Sequence, residues 1–342
     1  MSKKFRVGIV GCGNIFPMHA YPVSKLDTCE LVAVCDVKED RAKAKAEEFG
    51  CKYYLDYKEM IAKENLDVLH CCTPHYMHPP ITIYALEHGV NVLTEKPMSI
   101  KYEDTVAMVN AADKSGKTLG VIFQNRYNPG SVLAKKTLES GELGKVIGAK
   151  MNVTWKRTDE YYSKSDWKGT WDKEGGGVII DQAIHTFDLL RWLLNDEPEW
   201  MDVSIANRTH EIIEVEDSAE GVIKFKSGVF ASFYTINYYC ADSDVELEIT
   251  CENGIINIKA DCGSVTFKDG RKYVADKVPG ETFDYGKVKG YWGVSHIKQI
   301  DDFYMSMSKG EQPFITGKEA MKTMKMICSV YDSGKSKQRV FY

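Results

Sequence analysis

The chain has 342 residues, of which 44 are lysine or arginine and 49 are aspartate or glutamate, giving a formal net charge of −5. This length suffices for two domains, and 44% hydrophobic and 27% charged residues are typical of a soluble globular protein. The acidic balance argues against a sequence-independent nucleic-acid binder, which needs a basic face, and no apolar run approaches the roughly 18 residues of a membrane span.

The N-terminal segment and the ten cysteines bear on the compartment. The apolar run FRVGIVGCG is too short and too glycine-rich for a signal peptide. No C-x-x-C pair occurs, so we expect reduced thiols and a cytoplasmic protein. The run His70-Cys71-Cys72 could suggest a metal, but adjacent strand residues point to opposite faces, and we predict no metal site.

The first 122 residues alternate between short apolar runs and helix patterns. The predicted strands are Phe5–Val10, Glu30–Cys35, Lys52–Leu55, Val68–Cys72, Val90–Leu93 and Thr118–Ile122. The predicted helices are Met18–Lys25, Lys38–Phe49, Lys58–Lys63, Pro80–His88 and Tyr102–Lys114. Strand–helix alternation with short loops predicts a parallel, doubly wound sheet.

From residue 123 the pattern changes, so we predict a second domain over residues 123–342. A helix over Val132–Ser140, a strand and a glycine-rich segment with its helix to Leu194 come first. Five predicted strands follow: Val203–Asn207, Asp217–Phe225, Gly228–Asn237, Asp244–Cys251 and Gly254–Lys259. With closing helices at Ser295–Lys309 and Lys318–Gly334, this predicts an α+β domain with a mostly antiparallel sheet.

The turn after the first strand predicts a dinucleotide site. Gly11 and Gly13 fit the first two positions of G-x-G-x-x-G, whereas Phe16 takes the third. Asp36 ends the next strand, where a carboxylate accepts hydrogen bonds from an adenosine ribose and repels a 2′-phosphate, which favours NAD over NADP. Alternatively, Asp36 is a simple strand-end or helix-capping residue.

Two later loops lie at the same edge of the predicted sheet, because the carboxyl ends of parallel strands meet there. Thr73-Pro74-His75-Tyr76-Met77-His78 follows the fourth strand, and Thr94-Glu95-Lys96-Pro97 follows the fifth. We therefore expect Lys96 near the cofactor, although a solvated turn lysine is the simpler alternative.

The stretch Glu174–Asp188 carries the strongest chemical signal. Three glycines lead into an apolar segment in which Asp181, His185 and Asp188 are spaced by four and three residues, which puts them on one helical face. A carboxylate beside an imidazole orients and tunes a general acid/base. From the spacing alone, a helix with a structural histidine is equally well supported.

Taken together and in order, these motifs resemble the Gfo/Idh/MocA oxidoreductases. The pattern comprises Gly11-x-Gly13, Thr73-Pro74-x-x-x-His78, Glu95-Lys96-Pro97, Gly175-Gly176-Gly177-x-x-x-Asp181-x-x-x-His185-x-x-Asp188 and Ser295-His296-x-x-Gln299-x-x-Asp302-Phe303, with the helix in Gly317–Ser333. His75 departs from the family's common Asn, and Phe16 from its usual small residue.

The resemblance implies an N-terminal Rossmann domain (residues 1–122), a C-terminal α+β domain with a large open sheet, and a homodimer or homotetramer formed through that sheet. It also implies NAD(P)-dependent hydride transfer at an alcohol carbon of a sugar, inositol or related polyol, with Lys96, Asp181 and His185 as catalytic residues. We expect the cofactor to be bound by Gly11, Gly13, Asn14, Ile15, Asp36, Thr73, Pro74, His75, His78, Glu95, Lys96 and Gln124. We expect helix support rather than chemistry from Asp188.

Aromatic residues crowd the segment before the glycines, and their faces suit the C–H faces of sugars. We expect substrate contacts from Lys96, Arg126, Arg157, Tyr161, Trp167, Asp181 and His185; a subunit-interface or core cluster is the alternative for the aromatic group. This segment resembles a subset of the family that acts on sugars or nucleotide sugars. Two other functions stay open: an NAD-dependent glycosidase with transient oxidation, and a non-catalytic NAD-binding regulator.

Overall fold

The computed structural model describes residues 4–276, 283–286 and 295–342. The strands are β1 Phe5–Val10, β2 Cys29–Cys35, β3 Lys52–Tyr54, β4 Val68–Cys71, β5 Asn91–Thr94, β6 Leu119–Val121, β7 Val146–Thr154, β8 Pro198–Ala206, β9 Ser218–Phe225, β10 Phe230–Ile236, β11 Glu246–Cys251, β12 Gly254–Lys259, β13 Cys262–Phe267, β14 Lys272–Ala275 and β15 Val340–Phe341. The α-helices are α1 Phe16–Lys25, α2 Glu39–Phe49, α3 Tyr57–Glu64, α4 His78–Glu87, α5 Tyr102–Ser115, α6 Pro129–Ser140, α7 Asp159–Ser163, α8 Ile184–Leu194, α9 His296–Ser308 and α10 Gly317–Ser336.

The chain groups into two compact units. The first contains Met1–Gln124 and Thr282–Lys322, and the second contains Asn125–Glu281 and Thr323–Tyr342. The predicted boundary at 122/123 lies close to the division after Gln124. The prediction placed all of residues 123–342 in the second domain, but the segment containing α9 groups with the first unit.

The described strands of the first unit form a six-stranded parallel sheet in the order β3-β2-β1-β4-β5-β6. Strands β1 and β4 are neighbours, and the strand order runs outward in opposite directions from them. This is the topological switch point, at whose carboxyl edge ligands bind in open α/β sheets. The prediction of a doubly wound parallel sheet is confirmed.

Helix α9 is tied to this sheet by side chains of the C-terminal motif. Gln299 accepts the N–H of Phe123 at 2.9 Å and donates to the carbonyl oxygen of Val121 at 2.7 Å. A Cβ on Gly120 would lie 2.8 Å from the Phe303 ring, so only glycine lets the helix approach β6 this closely. These contacts explain why α9 belongs to the first unit.

The described strands of the second unit form a nine-stranded sheet in the order β14-β13-β12-β11-β7-β10-β9-β8-β15. Strands β7 and β10 pair in parallel, and the other neighbours pair antiparallel. The prediction of a mostly antiparallel sheet is confirmed. The sequence reasoning missed β13, β14 and β15, of which β14 and β15 span only four and two residues.

The ten cysteines all lie in the described part of the chain, and most of them are buried. Among the helices in the described part of the chain, none combines the length and the apolar character that crossing a bilayer requires.

Candidate active site

The glycine-rich turn after β1 has the geometry that a dinucleotide requires. Gly11 adopts a φ of +96°, and a Cβ there would lie 2.3 Å from the carbonyl oxygen of Cys72, so no other residue fits. Beside Gly13, no atom of the described residues comes within 4 Å of a Cβ position, which leaves this backbone open to a ligand. Asn14 is exposed, and Ile15 is the N-cap residue of α1, which begins directly after this turn.

Asp36, directly after β2, supports the same turn. One carboxylate oxygen accepts the N–H of Cys12 at 2.9 Å, and the other accepts the N–H of Lys38 at 2.9 Å. A carboxylate offers about four acceptor positions, so capacity remains for the hydroxyls of a ribose. Phe16 is fully buried and packs edge-on against Phe49 at 5.7 Å, so its side chain fills the core rather than the ligand edge.

The loops after β4 and β5 are joined by a buried histidine. His78 places Nδ1 2.7 Å from the carbonyl oxygen of Pro97 and Nε2 2.8 Å from that of Thr73. His75, at the start of a single 3-10 turn that ends at Met77, is also buried. Both histidines were expected to bind the cofactor. Because both are buried, they would contribute by holding the backbone of these loops in place.

Lys96 is half-buried between fully buried neighbours, and its backbone N–H donates to a carboxylate oxygen of Glu95 at 3.1 Å. Gln124 lies in a short 3-10 helix that follows β6. Its side-chain Oε1 is buried and has no hydrogen-bond partner among the described residues. Such an unsatisfied buried acceptor fits a ligand that brings its own N–H donor.

In the second unit, Gly176 packs against Tyr331 of α10, and Gly177 packs against Glu216, which lies just before β9. A Cβ on Gly176 would lie 1.9 Å from the hydroxyl oxygen of Tyr331, so the close approach depends on glycine. Glu216 accepts the N–H groups of Gly177 at 2.9 Å and Ile179 at 3.0 Å, and the Tyr331 hydroxyl donates to it at 2.9 Å. Burial raises the pKa of Glu216 to about 7.

The segment that follows was expected to continue as a regular helix. Instead, Val178–Ala183 is a π-helix, and α8 begins only at Ile184. π-Helical turns are rare and occur frequently at functional sites. Within the described stretch Glu174–Arg191, Asp181 and His185 are the two residues that stay partly exposed, whereas the others are buried. The apolar stretch therefore presents a carboxylate and an imidazole at its surface.

Asp181 is held by three donors at the same oxygen. Lys168 Nζ donates at 2.9 Å, the Tyr161 hydroxyl at 2.8 Å and Gln182 Nε2 at 2.6 Å. Lys168 also lies 3.5 Å from Glu174, which accepts the N–H of Gly169. We call Tyr161, Lys168, Glu174, Asp181 and Gln182 the Asp181 cluster.

The Asp181 cluster sets the charge of the site. Burial opposes the charge on Lys168, but the Asp181 and Glu174 carboxylates hold its pKa well above the ordinary value. Burial raises the pKa of Glu174 to about 8. Sequence reasoning missed Lys168 and Glu216, although the placement of Lys168 between Trp167 and Gly169 was a signal that it is not an ordinary surface lysine.

The aromatic segment joins the Asp181 cluster. The Lys168 ammonium lies 4.6 Å from the ring centroids of both Tyr161 and Trp167. The Arg157 guanidinium lies 5.3 Å from the Tyr161 ring and donates to Asp242 at 3.0 Å. The structure thus brings together Arg157, Tyr161, Trp167 and Asp181, four of the residues expected at the substrate.

Arg126 and Asp188 form a separate, fully buried ion pair. Arg126 donates to the two oxygens of Asp188 at 2.7 and 2.6 Å, and Thr323 donates to the same carboxylate at 2.7 Å. Asp188 thus joins α8 to the 3-10 helix that carries Arg126 and, through Thr323, to α10, as expected for its supporting role. Substrate binding by Arg126 stays a prediction, and the burial of its side chain argues against it.

Two family models match the chain. The model described as "Oxidoreductase family, NAD-binding Rossmann fold" matches residues 5–123, and the Gfo/Idh/MocA C-terminal domain matches residues 132–257. The chain belongs to the Gfo/Idh/MocA oxidoreductase family. The predictions of an oxidoreductase, of its NAD cofactor and of its Rossmann domain are confirmed at the level of this family. The glycine-rich turn, Asp36 and Gln124 fit that cofactor.

Relatives within the family act on sugars and polyols, as their names state. Myo-inositol 2-dehydrogenase of Thermotoga maritima is 25% identical over 92% of this chain and 91% of its own length. D-glucoside 3-dehydrogenase of Escherichia coli is 32% identical over 56% of this chain and 55% of its own length. The WlbA dehydrogenase of Bordetella pertussis, solved with NADH and UDP-GlcNAcA, has a TM-score of 0.88 and 27% identity and covers 100% of this chain and 99% of its own.

Proposed function

We propose that this Gfo/Idh/MocA protein is an NAD-dependent dehydrogenase for a secondary alcohol of a sugar, an inositol or a nucleotide sugar. The observation that carries the proposal is the joint exposure of Asp181 and His185 on an otherwise buried segment. Burying ionisable groups is costly, so leaving two of them accessible indicates that a ligand meets them.

In the proposed reaction, His185 takes the proton of the substrate hydroxyl. An imidazole suits this step because its ordinary pKa lies close to physiological pH. Asp181, which accepts hydrogen bonds from Lys168 and Tyr161, orients the imidazole or a substrate hydroxyl. Lys96 donates a hydrogen bond to the reacting oxygen and stabilises the developing alkoxide charge.

Bound NAD supplies the hydride acceptor. The backbone of the turn Gly13-Asn14-Ile15, which leads into α1, would hold its pyrophosphate, and Asp36 its ribose hydroxyls. The buried Oε1 of Gln124 would accept an N–H of the cofactor's carboxamide. The rings of Tyr161 and Trp167 would pack against the C–H face of the sugar, with Arg157 fixed behind Tyr161.

The large sheet is also a proposed assembly surface. Its strands expose apolar side chains, among them Val222, Phe230, Tyr234, Ile255 and Val274. We propose that a homodimer or homotetramer covers this face, which light scattering of the purified protein tests. We also propose a cytoplasmic location, a reducing compartment in which buried cysteines stay as thiols.

A substrate panel tests the proposed function. Inositols, aldoses, anhydrosugars and nucleotide sugars are incubated with NAD or NADP, and the reduced cofactor is followed by absorbance. We expect net NADH formation with at least one panel member and a preference for NAD. Release of an aglycone without net NADH would support a glycosidase instead, and cofactor binding without any turnover would support a regulator.

A further inference from the structure

The first unit contains a chain of buried ionisable side chains that the proposed mechanism leaves unused. We call His19, His70, Glu95, His296 and Tyr304 the Glu95 cluster; each is less than 5% exposed. His19 Nε2 and His296 Nε2 each lie 3.0 Å from Glu95 Oε1. His19 Nδ1 lies 2.9 Å from His70 Nδ1, and His70 Nε2 lies 2.7 Å from the Tyr304 hydroxyl.

The hydrogen atoms of this cluster can be assigned from its acceptors. Glu95 as a carboxylate only accepts, so His19 and His296 must both carry a proton on Nε2. With neutral rings, His19 Nδ1 then accepts from His70 Nδ1–H, and His70 Nε2 accepts from the Tyr304 hydroxyl. Every contact is satisfied in one direction, from Tyr304 to Glu95, with a single net charge on the carboxylate.

The electrostatics agree with that assignment. Burial raises the pKa of Glu95, but the donors His19 and His296 outweigh it and hold the pKa well below its ordinary value. Burial lowers the pKa of His19, and that of His70 falls well below its ordinary value. Neutral His19 and His70 beside an ionised Glu95 are the expected state near neutral pH.

His19, Glu95 and His296 could together bind a zinc ion, but the geometry favours hydrogen bonds. Both imidazole nitrogens approach one carboxylate oxygen at 3.0 Å, which is a normal N–H···O separation. A zinc ion needs each ligand atom at about 2.0–2.2 Å from a common centre. Hydrogen bonds therefore account for the cluster without a metal.

The second oxygen of Glu95 leads to Lys96. It accepts the backbone N–H of Lys96 at 3.1 Å, and on the other side of the lysine the Pro97 carbonyl oxygen faces His78 Nδ1 at 2.7 Å. The N–H of Lys96 and the carbonyl of the next residue, Pro97, are thus both held by buried partners, while the lysine itself keeps partial exposure.

We propose that the Glu95 cluster is a positioning device for Lys96, in which His296 and His19 aim the Glu95 carboxylate at the lysine backbone. The proposal rests on the proposed function, since it gives Lys96 its role at the reacting oxygen. If the Glu95 side chain could rotate freely, the backbone at Lys96, just after β5, could shift. Small misplacements of a catalytic group are enough to slow a reaction by one or two orders of magnitude. Helix α9 contributes to the reaction through His296, which never needs to touch substrate.

Two substitutions at one position test this role. His296→Gln keeps an N–H donor in the place of Nε2, whereas His296→Leu removes it. We expect His296→Leu to lower kcat roughly tenfold, with KM and the Kd for NADH changed less than about twofold, and His296→Gln to recover most of kcat. His88→Ala, at an exposed histidine that bonds the Tyr84 carbonyl, is the matched control.

A second measurement does not depend on turnover. The rate of reductive methylation of Lys96 is followed by peptide mass spectrometry, with the exposed Lys164 as an internal reference. We expect this rate to change at least about threefold in His296→Leu and to stay near wild type in His296→Gln. Unchanged Lys96 reactivity and unchanged kcat in folded His296→Leu would overturn the proposal.

The remaining outcomes separate the two proposals. Circular dichroism gives the folded fraction of each variant. If His296→Leu and His296→Gln lose kcat equally, and the loss follows the folded fraction, the cluster has only a structural role. One equivalent of zinc in the purified protein, lost in His296→Leu, would replace it with a metal site. If the wild-type protein turns over no panel substrate, the proposed function is contradicted. The methylation rates would still show whether the Glu95 cluster positions Lys96.

Discussion

The Glu95 cluster and the Asp181 cluster both gather ionisable side chains, but in opposite ways. Around Glu95, two histidines share one carboxylate oxygen, and every member of the cluster is buried. Around Asp181, a lysine faces two carboxylates, and Asp181 and His185 stay accessible. The first arrangement has one preferred proton distribution and suits a fixed support. The second has groups whose charge can change, which suits chemistry.

Removing the proposed base should give the largest effect. His185→Ala is expected to lower kcat by roughly a thousandfold, because general acid–base catalysis contributes about 10²–10⁴-fold. The Kd for NADH, measured by fluorescence titration, should stay within about twofold of wild type. His88→Ala provides the matched control, and turnover like wild type in His185→Ala would remove this residue from the mechanism.

The buried ion pair should respond through stability instead of kinetics. Arg126→Met leaves Asp188 charged and buried, and we expect the free energy of unfolding to fall by about 3–5 kcal/mol in urea titrations. Arg208→Met breaks an exposed pair with Glu220 and should cost less than about 1 kcal/mol. Equal losses in the two variants would contradict the structural role of Arg126. A folded Arg126→Met protein with a raised KM alone would instead support substrate binding.

Lys168 tests whether the Asp181 cluster needs its cation. Lys168→Met leaves Asp181 and Glu174 facing each other without the ammonium, so their pKa values should rise. We expect kcat to fall by about ten- to a hundredfold and the acidic limb of its pH profile to move to higher pH. Lys168→Arg should recover part of kcat and return the limb towards wild type. An unshifted pH profile in Lys168→Met would show that Lys168 acts through packing alone.

The smallest effect concerns the pH dependence of stability. Glu216 has a folded pKa of about 7, above the ordinary carboxyl value, so the folded state retains a proton that the unfolded state releases. Stability from this group is complete below the unfolded pKa and is lost as pH rises towards about 7. We expect Glu216→Gln to flatten the decline of unfolding free energy between pH 5 and 7 by up to about 1.4 kcal/mol per pH unit. The control Glu142→Gln, at a carboxyl whose pKa the Arg271 guanidinium lowers, should keep the wild-type slope.

Much of the fold follows from local pattern. Continuous apolar runs and helix-forming stretches such as Asp40–Glu48 place most elements of the first sheet within two residues of their observed bounds. Strands β14 and β15 were missed because four and two residues are too few to show a period. The π-helix was missed because it depends on how Glu216 and Tyr331 hold the preceding backbone, which no spacing within the segment encodes.

The candidate site shows the same limit. Spacing singled out Asp181 and His185, and motif order singled out Lys96, because those signals are local. Glu95 and His296 meet across 201 positions of sequence, and Lys168 acquires its role only when Tyr161 and Asp181 surround it. Contacts of this kind arise from topology, so a residue pattern alone cannot supply them.

The discontinuity of the first unit has a consequence for synthesis on the ribosome. Its parallel sheet emerges within the first third of the chain, but α9, which ties to the sheet through Gln299 and Phe303, is translated some 170 residues later. At about 5–20 residues per second, the nascent sheet must wait many seconds with the α9 side of β6 uncovered. The second unit waits as well, because β7 lies between β10 and β11 and has a partner on both edges only after both have been made. The chain therefore completes both units only near the end of translation, and its folding intermediates are the state in which chaperones would find it.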